Sequence, residues 1–155
     1  MKKIIFLLLI IGLESCSSQK KIETTNQYFD TGASSIQEWI GGRPESGSGF
    51  NLKIALINQS EDISFEEIYF RNRILPCELK EEGEVLYLLA KYNKTSAENP
   101  SNDMHEAKTE KKFPFLLQPT EAIIGYTKEG QPKKYLKITD IKQKAPLAFP
   151  SKPKN

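Results

Sequence analysis

Apolar residues along this chain fall into one continuous block near its start and a series of alternating runs further in, and the two patterns predict different structures. The block covers residues 4–13, broken only by Gly12. It is about half of the roughly 20 apolar residues that a helix needs to cross a bilayer, which is the length of the apolar part of an export signal. The alternating runs begin at 50–56, where Phe50, Leu52, Ile54 and Leu56 recur every second position and predict a half-buried strand. In 63–72 the same period puts Phe65 and Tyr69 on one face and Ile68 and Phe70 on the other. Glu66 and Glu67 interrupt it, which predicts a bulge or a shorter strand. The run 85–92 is apolar on both faces and follows Gly83, as a central strand would. Finally, 122–126 and 135–138 flank Glu129-Gly130-Gln131-Pro132, whose turn-forming residues predict a hairpin.

Short strands with turn signals about every ten residues, and no long helical period, point to an all-β chain folded as a β-sandwich, with a small β-barrel as the alternative. The phrase Phe113-Pro114-Phe115-Leu116-Leu117-Gln118-Pro119 resembles the sheet edge of immunoglobulin-like bacterial domains, where an apolar residue and a proline mark a corner between sheets. The resemblance implies an immunoglobulin-like sandwich and is architectural only, since it assigns no site. Residues 17–34 are rich in Ser, Thr, Gln, Asn and Lys and are expected to be a flexible tether reaching on the order of 25 Å. Residues 145–155, with Pro146, Pro150 and Pro153 among lysines, are expected to be a disordered tail, because proline interrupts both helix and central strand. The expected organisation is a signal at 1–15, a tether at 16–34, one domain at 35–144 and a tail at 145–155.

Lys2 and Lys3 precede the apolar block, and Leu13-Glu14-Ser15-Cys16 ends it. That ending resembles the lipobox of bacterial lipoproteins, and the Lys- and Ile-rich, Arg-poor composition resembles AT-rich bacteria such as flavobacteria. The resemblance implies that the peptidase cuts before Cys16 and that its thiol carries a diacylglyceryl group. Each buried methylene contributes about 0.8 kcal/mol, and two or more acyl chains anchor stably. The implied location is the bacterial envelope, on the outer or inner membrane, facing the periplasm or the cell surface.

Without residues 1–15 the chain holds 20 basic and 19 acidic residues, net +1, which argues against a nucleic-acid binder. With Cys16 committed to lipid, Cys77 has no disulfide partner and reads as a small buried thiol. The polar stretch 93–112, about 20 residues, is long for a loop in a compact domain, and such loops are functional or disordered. Asp103, Met104, His105 and Glu106 within it are candidate partner contacts. His105 is the only histidine, so a two-histidine metal site is excluded; no metal or cofactor is expected. Arg71 and Arg73, spaced i and i+2, are expected on one strand face, either clamping a carboxylate or phosphate or pairing with nearby glutamates. Trp39, the only tryptophan, is expected in the core.

The loop Gly42-Arg43-Pro44-Glu45-Ser46-Gly47-Ser48-Gly49 lacks the lysine of a phosphate loop and reads as an inter-strand connection. Neither a histidine-based triad nor a nucleophile elbow is present, and no enzymatic activity is expected. The function expected is a membrane-anchored, non-catalytic binding or assembly module for an envelope protein or glycan. The alternative is an inhibitor or protective protein acting through 93–112 against a secreted enzyme or toxin.

Overall fold

A computed structural model describes residues 20–43, 46–94 and 113–149. Among them every regular element is a strand: β1 (Ile22–Glu23), β2 (Asp30–Gly41), β3 (Ser48–Ile57), β4 (Ile63–Phe70), β5 (Arg73–Glu82), β6 (Val85–Lys94), β7 (Ala122–Lys128), β8 (Lys134–Ile138) and β9 (Lys142–Phe149). The all-β expectation holds, and each alternating run forms a strand. The interruption at Glu66 and Glu67 is a register shift against β7, between Phe65 and Glu67, as a bulge requires.

The strands form one mixed sheet in the order β1-β8-β7-β4-β5-β6-β3-β2-β9. β5 folds that sheet over: Arg73 to Pro76 pair with β4, and Cys77 to Glu82 pair with β6. A strand that changes partners along its length turns a corner, so the sheet becomes an open sandwich. After the β4-β5-β6 hairpins the chain comes back with β6 beside β3, a Greek-key connection.

Inner faces of the two halves share one core. Ile36, Leu52, Ile54 and Leu88 come from the β6-β3-β2-β9 half, and Ile68, Phe70, Ile124 and Leu136 from the β1-β8-β7-β4 half. Phe50 on β3 meets Phe70 on β4 edge to face, centroids 5.5 Å apart. Full burial of each such side chain contributes about 1.5–3 kcal/mol.

A second apolar cluster covers the outer face of the β1-β8-β7-β4 half. Tyr69, Ile123 and Tyr135 point outward there, and the unpaired segment 113–118 lies across them. Alternation along that segment turns Phe113, Phe115 and Leu117 toward the sheet and leaves Leu116 outside. The rings of Phe115 and Tyr69 stand edge to face at 4.7 Å.

Both expected domain boundaries need correction. The presumed tail contributes most of β9, which pairs in parallel with β2 as far as Phe149. Proline is tolerated because β9 is an edge strand. At Pro146 the register shifts, so that Ala145 and Pro146 together face Glu38. The presumed tether contains β1, the start of β2 and two buried aromatics, Tyr28 and Phe29. The Asn26 side-chain oxygen accepts the backbone N–H groups of both, at 2.8 and 2.9 Å, and turns the chain into the core. Two aromatics in a polar stretch produce no period, which is why composition alone misplaced the boundary.

Candidate functional site

β9 closes the sheet order at one end, and all eight of its residues are exposed. Its first part carries Lys142 and Lys144 and then Pro146, residue types that discourage another strand from pairing at an edge. Leu147-Ala148-Phe149 carries no such protection. Leu147 pairs with Trp39 and Phe149 with Gly41, so Trp39, Leu147 and Phe149 share the outer face. Trp39 and Phe149 meet edge to face, centroids 6.3 Å apart. Leu147 is 42% exposed and Phe149 52%, while Ile40, on the opposite face of β2, is 59% exposed.

Trp39 is therefore not in the core, contrary to expectation. Its indole lies across Gly49 on β3, where a Cβ would stand 2.8 Å from the Trp39 Nε1 and 2.0 Å from the Tyr92 carbonyl oxygen. Only glycine permits this approach, and the ring covers the strand where the glycine has no side chain.

Beside this shelf lies the end of the sandwich that carries the β4–β5 turn. Arg71 and Asn72 are the two central residues of that turn, at φ of 46° and 59°, the pair of left-handed conformations that a type I′ hairpin needs. Arg71 reaches across to β2 and places its Nη1 2.7 Å from Glu38 Oε1, joining the two halves of the sheet. Arg73 instead stacks its guanidinium 3.8 Å from the ring centroid of Tyr92, which packs on Phe50 at 5.4 Å. The two arginines thus do not form a clamp. One lies in the turn and the other begins β5, and of the two readings for Arg71 the glutamate pairing is the one observed.

Of the grooves elsewhere among the described residues, two are lined partly by β6. One, of about 230 Å³, is lined by Pro76, Cys77, Glu78, Leu89 and Lys91. Cys77 is a free thiol, half-buried, and burial pushes its pKa up to about 11, which leaves it a poor nucleophile. The other, of about 200 Å³, crosses the polar outer face of β2, β3 and β6, where Lys53 is paired with Glu82. The hydrogen bond and charge of Lys53 hold the Glu82 carboxyl below its usual range. On the opposite outer face Lys133 bridges Glu66 and Glu67 at 2.8 and 2.6 Å, and Tyr69 donates to Glu67. Burial, then the Glu67 carboxylate, raises the Tyr69 pKa. Among the described residues no three His, Cys, Asp or Glu side chains gather as a metal site would require.

Cys16 and the candidate contacts Asp103, Met104, His105 and Glu106 lie outside the described residues. The β9 shelf was missed because its prolines suggested a tail. A compositional hint was nonetheless present: lysines at 142 and 144, residues that protect a sheet edge, ahead of apolar Leu147 and Phe149. No protein-family model, curated protein or solved structure matches this chain.

Proposed function

We propose that this chain is a lipid-anchored envelope lipoprotein whose β-domain is a non-catalytic binding module, taking an extended protein segment along β9. The observation that carries the docking mode is a fully exposed edge strand ending in Leu147 and Phe149 beside Trp39. An edge of this kind offers main-chain hydrogen bonds for affinity, and side chains at alternate positions for selectivity. The lysines and Pro146 earlier in β9 would restrict pairing to its last residues, which favours a short, chosen segment over indiscriminate stacking. The anchor rests on the Lys2–Lys3 charge, the apolar block and Cys16. Held on a membrane, such a module works at the high local concentration that a shared surface provides.

Metabolic labelling with palmitate in the native host tests the anchor: Cys16→Ala should lose both the label and the membrane fraction. A Leu147→Lys, Phe149→Lys double variant tests the edge. It should keep the label and the fold yet release the proteins cross-linked to the parent. The same cross-linked proteins with the double variant would refute the edge, and label retained in Cys16→Ala would refute the anchor.

A further inference from the structure

We propose that the outer face around Lys20 and the 113–118 segment rests on the bilayer that holds the lipid anchor, with Leu116 seated among the headgroups. This rests on the lipid-anchor reading of Cys16, and its argument is one of reach. From Ile22 onward the chain is tied to the sheet: Ile22 pairs with Tyr135 and Glu23 with Leu136, and the Tyr126 hydroxyl donates to Glu23 at 3.1 Å. Lys20 is docked as well. Its ammonium stands 4.9, 5.4 and 5.7 Å from the ring centroids of Tyr135, Tyr69 and Phe115.

Only Ser17, Ser18 and Gln19 separate Cys16 from Lys20. Four residue steps at 3.3–3.6 Å each span at most about 14 Å. A ten-residue strand of this domain is about 33 Å long, so such a tether keeps the body within less than half that length of the lipid. The headgroup zone is itself roughly 5–7 Å deep, and the face that carries Lys20 reaches it first.

That face has matching chemistry. Leu116 is 100% exposed, while Phe115 beside it is buried against Tyr69 and Tyr135. A leucine presented this way is held outward by its neighbours. Ile22, 42% exposed, follows the exposed Lys21 on the same stretch as Lys20. Apolar tips among lysines suit an interface of acyl chains and phosphates.

The test uses the full-length acylated protein with p-benzoylphenylalanine in place of Leu116 or, separately, of Leu79, which is 45% exposed on β5. Each is reconstituted in phosphatidylethanolamine–phosphatidylglycerol vesicles, irradiated and read by mass spectrometry, which also reports the lipid on Cys16. Phospholipid adducts should form several-fold more at 116 than at 79, and a long Gly-Ser insertion between Gln19 and Lys20 should lower those at 116 several-fold. Equal adducts in an acylated protein without the insertion would overturn the contact and leave the anchor standing. Adducts at 116 undiminished by the insertion would overturn it too, because reach would not be their cause. A Cys16 without lipid in protein from the native host would overturn the anchor reading and this inference together.

Discussion

The two edges of the sheet are both made by a strand in parallel pairing, and they are finished in opposite ways. β1 is two residues long, bonded through Glu23 to Tyr126 and preceded by a lysine docked on three aromatic rings. β9 is eight residues long and exposed throughout, and among the described residues one aromatic ring, that of Trp39, meets it. The aromatic side chains follow the same division. Phe115 is 7% exposed within a cluster of rings, whereas Phe149 is 52% exposed. Edge pairing alone therefore does not finish a sheet: one end is a two-residue strand beside a cluster of rings, and the other is a long strand exposed at every residue.

Substitution at these positions can break that contrast. Phe115→Ala should have the largest effect, lowering the free energy of unfolding in urea by about 3–5 kcal/mol, because it opens a cavity beneath the strap, residues 113–118. Gly49→Ala comes next, at about 1–3 kcal/mol, since its Cβ would strike the Tyr92 carbonyl and displace the indole of Trp39. Loss of the native Trp39 fluorescence signature would accompany it. Phe149→Ala should lower stability by no more than about 0.5–1.5 kcal/mol, the range of a single aromatic pair. A Phe149→Ala loss equal to that of Phe115→Ala would show that β9 is packed as firmly as the strap, and the contrast would fail.

The smallest effect is one of pH. The Glu121 carboxylate accepts the Gln118 backbone N–H at 2.9 Å and pairs with Lys137 at 2.8 Å, and these two contacts, in that order, hold its pKa below the usual range. A carboxyl depressed in the folded state stabilises it above the unfolded value, about 4.3, and that contribution is lost as pH falls through the folded pKa. Acid should thus release the end of the strap before it affects β9. Amide exchange at Gln118, corrected for the intrinsic pH dependence, should rise as acid carries the pH below the unfolded carboxyl value and through the lower folded one, and Glu121→Gln should reproduce the rise at neutral pH. An unchanged corrected rate would remove Glu121 from the account.

Much of this arrangement was legible in the residues. Phe50, Leu52, Ile54 and Leu56 announced β3, and the Glu66–Glu67 interruption announced the bulge, because a period of two leaves its mark wherever one strand face is buried. Three features were hidden. β1 is too short to carry a period. β9 is exposed on every residue, so burial imposed no pattern on it, and Pro146 argued against a strand that only an edge could tolerate. Trp39 was expected inside, since size and apolarity do not reveal that a glycine on the next strand will offer the ring a seat on the outer face. The candidate site lies where those signals are weakest: binding surfaces stay outside the core, and the core writes the pattern.

Leu147 and Leu79 make the most direct measurement possible, because they are the same residue at nearly the same exposure, 42% and 45%, on different strands. A photo-cross-linking residue at each position in turn, in the full-length protein within its native envelope, asks whether the β9 edge is occupied there. A discrete protein adduct from position 147, absent from position 79 and lost on adding Phe149→Lys, is the predicted result. Indistinguishable adducts from the two positions, or none from 147, would contradict the assignment of β9 as a docking edge.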